Sequence, residues 1–135
     1  MAGKVAILSR FLEFPWVARF AAFIASLLFV TFAFIPVIPF TMLGVAMAPE
    51  GLLMARRMSA LFLGIAILLF LLRDADDSPM RRSVSAALSA SMAALAVFGF
   101  LDWLGGRNGP GVFIAISVEV YFAAALGILA RGRAR

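Results

Sequence analysis

Two opposite charges set inside long apolar runs, Glu119 and Arg57, are the residues best placed to do chemistry in this chain. Glu119 has 11 uncharged residues on either side, Asn108–Val118 and Val120–Ala130. An ionisable group in such a position is a functional candidate by default, because its charge is costly to place in hydrocarbon. At helical spacing Glu119 aligns with Ala115, Ala123 and Gly127, a small-residue face of the kind that packs against another helix. The carboxyl is therefore expected to point into a bundle, where it needs a cationic partner or a proton. Arg57 shares a face with Ala60 and Gly64. Counted from Arg73 and Arg131, the two charges differ in height by only about 6 Å at 1.5 Å per residue. An Arg57–Glu119 contact is expected, with Ser59 and Tyr121 as neighbours. It would act either as an intramembrane ligand or proton site, or as an ion pair that only sets helix register. Arg56 projects about 100° away and is expected to snorkel to headgroups.

The remaining polar residues point to less. Asp102, beside Trp103, reads as a carboxylate at the outer interface. Asp74, Asp76 and Asp77 read as a solvated loop balanced by Arg73, Arg81 and Arg82, since a Ca²⁺ loop needs more oxygen ligands at fixed spacing. Gly105-Gly106-Arg107-Asn108-Gly109 is a turn without the strand and helix of a phosphate loop. The chain contains no His and no Cys, which removes thiol and imidazole nucleophile systems and His- or Cys-ligated metals. No cofactor and no metal site is expected.

The elements that position these residues follow from composition. Of 135 residues 64% are hydrophobic and 14% charged, with a mean hydropathy of +1.07. A soluble domain of this size cannot hide so much apolar surface, so an integral membrane protein is expected. Phe20 to Ala48 is uncharged but interrupted by Pro36 and Pro39, giving a first span from Val17 to Ile35 and a short interfacial or re-entrant piece over 40–48. Met58 to Leu72 is too short to cross, so the second helix must begin near Gly51 and carry Arg56 and Arg57 in its first turns. A third span runs from Ser83 to Trp103 and a fourth ends at Ala130. The fold class is all-α, a four-helix transmembrane bundle over residues 20–130. An interfacial segment over 1–19 precedes it, where residues 4–16 either lie on the membrane surface or begin the first helix. A basic tail over 131–135 follows.

Positive residues supply sidedness. Lys4, Arg10, Arg19, Arg73, Arg81, Arg82, Arg131, Arg133 and Arg135 fall on one side, and Arg56, Arg57 and Arg107 on the other. Excess Lys and Arg mark the cytoplasmic face, so both termini are expected inside a bacterial inner membrane. The net charge of +5 is then topogenic, and no basic stripe with interleaved aromatics points to nucleic acid. Ala46-Met47-Ala48 has the form of a signal-cleavage site, but the apolar stretch before it is too long.

Helices in lipid meet through small residues. Ser85, Ser89 and Ala93, with Ala86, Ala90 and Ala94 one position on, mark the third span as the expected central helix. The Phe-rich first span is expected to face lipid. Ala55-Arg56-Arg57 through Leu63-Gly64 to Leu72-Arg73, Arg81-Arg82, Trp103-Leu104-Gly105-Gly106 and Glu119 before Ala125-Leu126-Gly127 carry a family likeness. Over roughly residues 50–130 the chain resembles small bacterial four-helix membrane proteins of unknown function, similar in layout to DoxX-like proteins. The resemblance implies a fold and a topology and no reaction. The function expected is that of a non-enzymatic accessory or interaction subunit of a membrane complex, with the lipid bilayer and a membrane protein or further copies of itself as partners. The alternative is a small oligomeric transporter, channel or lipid-binding protein using Arg57 and Glu119.

Overall fold

A computed structural model describes residues 13–46 and 48–132. Five helices follow one another: α1 (Phe14–Phe34), α2 (Val37–Leu43), α3 (Pro49–Leu72), α4 (Pro79–Leu104) and α5 (Val112–Ala130). Among the described residues there is no strand. All but α2 are long and apolar enough to cross a bilayer, which makes this a multi-pass, four-helix membrane protein in contact with lipid.

Local chemistry sets the boundaries. Glu13 precedes α1, and Pro15 sits in its first turn, where a missing N–H costs nothing. Of residues 4–16, expected either on the membrane surface or at the start of the first helix, Phe14–Trp16 form the first turn of α1, which continues through Val17–Arg19. Residues 1–12, and Arg133 and Arg135 of the basic tail, lie outside the described residues. Pro36 disfavours helical backbone at Ile35, which leaves the α region (φ −135°, ψ 54°) and ends α1. The piece expected over 40–48 is in part a helix, α2, closed by Gly44 in the left-handed region at φ 70°. Pro49 opens α3. Ser78 caps α4 by accepting the Arg81 N–H at 3.3 Å, with Pro79 next.

The helices pack in two pairs. α1 lies along α3 and α4 along α5, and the pairs meet where α1 touches α5. Phe20 of α1 meets Phe122 of α5 at 5.5 Å between ring centres, and Phe32 of α1 stacks on Phe62 of α3 at 5.8 Å. The core sits where the pairs join. It is built from Phe14, Val17, Ala18, Ala21 and Ala22 of α1, Leu69 of α3, and Phe122, Ala125 and Leu126 of α5.

This corrects the expected order of enclosure. α1 is the most enclosed span and α4 the least, with only Ser85 and Ala96 of α4 buried. The reason lies in α1 itself. Ala18, Ala21, Ala22 and Ala25 form one small-residue face that admits close neighbours, while Phe23 and Phe34 turn outward.

Candidate functional site

The end of the bundle holding the starts of α1 and α4 and the ends of α3 and α5 is laced with ion pairs. Asp74 ties α1 to the end of α3, meeting Arg19 of α1 at 3.0 Å and Arg73, the residue that caps α3, at 3.0 Å. Asp77 meets Arg81 at 2.8 Å and Arg82 at 2.7 Å. The hydrogen bond from Arg82, reinforced by both charges, holds the Asp77 carboxyl down at about 2, against an ordinary 3.8. Arg81 also donates to the Ala75 carbonyl at 2.9 Å and lies over the Phe14 ring. The α3–α4 connection is therefore the exposed polar turn expected, with Asp74 and Asp77 paired to Arg73, Arg81 and Arg82. At the opposite end Arg107 pairs with Asp102 at 2.6 Å.

Glu119 lies half-buried on α5, one turn from Ala115 and one from Ala123. It makes no ion pair or hydrogen bond among the described residues. Arg57 is exposed on α3 and likewise forms no ion pair there. The expected contact between them does not form within the bundle, and the ring contacts show why. Phe62 is level with Phe32, so Arg57, nearer the start of α3, lies beyond the end of α1. Phe122 is level with Phe20, so Glu119 lies less than one turn above Phe20. Along the axis the two charges are about 20 Å apart at 1.5 Å per residue. A height difference of about 6 Å holds only if Arg73 and Arg131 lie level. The Arg19–Asp74 pair instead holds the end of α3 level with Arg19, while α5 runs on from Phe122 to Arg131 by about 13 Å. Ala60 and Gly64, expected to pack closely, are exposed, and a side chain at Gly64 would meet nothing. Ser59 is buried but donates to its own helix, to the Arg56 carbonyl at 2.6 Å. Tyr121 sits edge-on to Phe20 and Phe122.

The α4–α5 seam uses part of the expected small-residue set. Ser89 donates across it to the Ala123 carbonyl at 2.7 Å, and a Cβ added to Gly127 would stand 3.0 Å from that hydroxyl. Ser85 is 1% exposed and its hydroxyl has no hydrogen-bond partner. Ser26, Thr31, Ser83, Ser91 and Ser117, by contrast, each donate to a carbonyl one turn back. Ala93 is exposed, as are Ala86, Ala90 and Ala94, so this second row faces away from α5.

Sequence reasoning missed a backbone interlock. The Gly109 N–H donates to the Leu43 carbonyl at 2.6 Å, fastening the α4–α5 turn to the end of α2. A Cβ on Gly111 would collide with the Met42 carbonyl oxygen. The run of glycines over 105–111 was a visible signal of close backbone approach, but nothing in it named the partner. No protein-family model, curated protein or solved structure matches the chain.

Proposed function

We propose that this protein is a non-enzymatic interaction subunit of a membrane assembly, with both termini on the cytoplasmic face of a bacterial inner membrane. The observation that carries the reading is the outer face of α4. This longest helix is covered on one side by α5, and its other side presents Ser83, Ala86, Ala87, Ala90, Ala93 and Ala94, all exposed. Lipid gives no hydrophobic drive for helix association, so a row of small side chains is the means by which a second helix approaches closely. A helix meant only for lipid gains nothing from such a row. The charged groups do not converge as a reaction centre requires: Glu119 stands about 20 Å from Arg57 along the axis.

The test is extraction of the native membrane into lipid nanodiscs and weighing of the particles. The wild type is expected in particles holding more than one chain. The Ala86→Leu/Ala90→Leu variant is expected as a single 14.5 kDa chain with unchanged thermal stability. A monomeric wild type indistinguishable from the variant would overturn the reading.

A second reading rests on Glu119, a half-buried carboxyl inside a span with no protein partner among the described residues. In an oligomeric transporter it would carry a proton or bind a ligand. Proton flux in proteoliposomes that disappears on Glu119→Gln supports this reading, and flux that persists excludes it.

A further inference from the structure

We propose a binding site for one anionic phospholipid in the groove between α1 and α3. This groove has a volume of about 410 Å³ and is walled by Phe23 of α1 and Leu63, Ala66, Ile67 and Phe70 of α3, with Arg19 at one end. It runs from Arg19 to the level of Ser26, about 10 Å at 1.5 Å per residue. That length falls within one leaflet of a hydrocarbon core roughly 30 Å thick. Its axis follows the helices, so it lies parallel to an acyl chain.

The groove's mouth selects by charge. Arg19 and Arg73 share a single carboxylate, that of Asp74, which leaves one net positive charge there. Arg73 is itself seated over the ring of Phe70, a groove wall, 4.0 Å from the ring centre. The Arg19 side chain is half exposed, and a guanidinium has five N–H donors, of which Asp74 takes one from Arg19. A phosphodiester accepts hydrogen bonds from such a fork and neutralises the surplus charge. A zwitterionic lipid brings its own ammonium and gains less. Asp76, further along the turn, pairs with none of these arginines, and Asp77 is taken by Arg81 and Arg82. The site therefore reads as an acyl chain in the apolar cleft with its anionic headgroup on Arg19 and Arg73. It is independent of the α4 face.

Trp16, one turn before Arg19, reports on this end of the groove, and the chain's other tryptophan, Trp103, lies at the far end of α4. The full chain carrying Trp103→Phe is reconstituted in phosphatidylcholine vesicles, and quenching of Trp16 by brominated phosphatidylglycerol is compared with quenching by brominated phosphatidylcholine. Preference for the anionic lipid is expected at about fivefold or more, the scale of one basic residue at a membrane surface. Arg19→Gln/Arg73→Gln is expected to bring the ratio to about one, and Asp74→Asn to raise it. Arg131→Gln, which removes one positive charge at the same end of the bundle but outside the groove, should leave it unchanged. Soluble glycerol 3-phosphate should not relieve the quenching. Equal quenching by the two lipids, a preference that survives the double substitution or is lost equally with Arg131→Gln, or displacement by glycerol 3-phosphate would each overturn the proposal.

Discussion

Gly111→Ala isolates the backbone interlock between α2 and the α4–α5 turn. Gly111 has φ −59° and ψ −21°, a conformation alanine adopts freely. On backbone grounds alone the substitution would stabilise by about 0.4–1 kcal/mol through the unfolded chain. The close approach reverses the sign. The new Cβ would collide with the Met42 oxygen and sit 2.9 Å from its carbon, and both are main-chain atoms that cannot rotate aside. The turn and α2 must part, and the Gly109 N–H loses the Leu43 carbonyl. Forced overpacking costs about 1–3 kcal/mol, and a polar group left unpaired about 1–3 kcal/mol. After the offset, the expected loss is about 1–6 kcal/mol, centred near 3 kcal/mol. Hydrogen exchange in nanodiscs reads it directly, since 2 kcal/mol corresponds to roughly 30-fold faster exchange where opening is local. Peptides spanning 38–46 and 105–114 should show this acceleration. Gly64→Ala, whose Cβ meets nothing, should leave them unchanged. Unchanged exchange in Gly111→Ala, or equal exchange in both variants, would refute the interlock.

Other outcomes follow from particular side chains. Ser85→Ala removes a buried, unpartnered hydroxyl and is expected to raise stability by about 1 kcal/mol in mixed-micelle unfolding. Ser89→Ala, which removes the bond to Ala123, is expected to lower it by about 0.6 kcal/mol. Arg57→Ala and Glu119→Ala should combine additively within about 0.5 kcal/mol, because the residues do not touch; a larger coupling energy would restore the contact. Because the Asp77 carboxyl is held below its ordinary value, its ion pairs stabilise the fold above about pH 4 and are lost as pH falls through about 2. Asp77→Asn should flatten the dependence of Tm on pH across that window.

The spans were legible because apolar run length and proline position are local properties. Pro36, Pro49 and Pro79 stand at helix breaks in the sequence and at helix breaks in the structure. Which helix meets which was not legible, because lipid and protein interior are equally apolar and a helical wheel then has no inside. α5 illustrates the problem: apart from Ser117, Glu119 and Tyr121, its residues toward α1, α4 and lipid are all apolar. Small residues were the right signal but occur on both α1 and α4, and only packing shows that the alanines of α1 are used within the chain while the outer row of α4 is left over. The Arg57–Glu119 expectation failed for a different reason. Heights counted along two helices compare only if both start level, and the Arg19–Asp74 pair sets α3 at a different height from α5.

The chain has no native cysteine, so single thiols test the outer face of α4 directly. Ala90 on α4 and Ala124 on α5 are both exposed, and the Ser89–Ala123 bond places them at the same depth. In native membranes treated with a short bifunctional maleimide, Ala90→Cys is expected to give a discrete cross-linked species. That species would run at twice 14.5 kDa for a second copy, or at another fixed mass for a different partner. Ala124→Cys is expected to remain at 14.5 kDa. Cross-linking of both positions to the same extent, or of neither, would contradict the assignment of α4 as the face through which this protein associates.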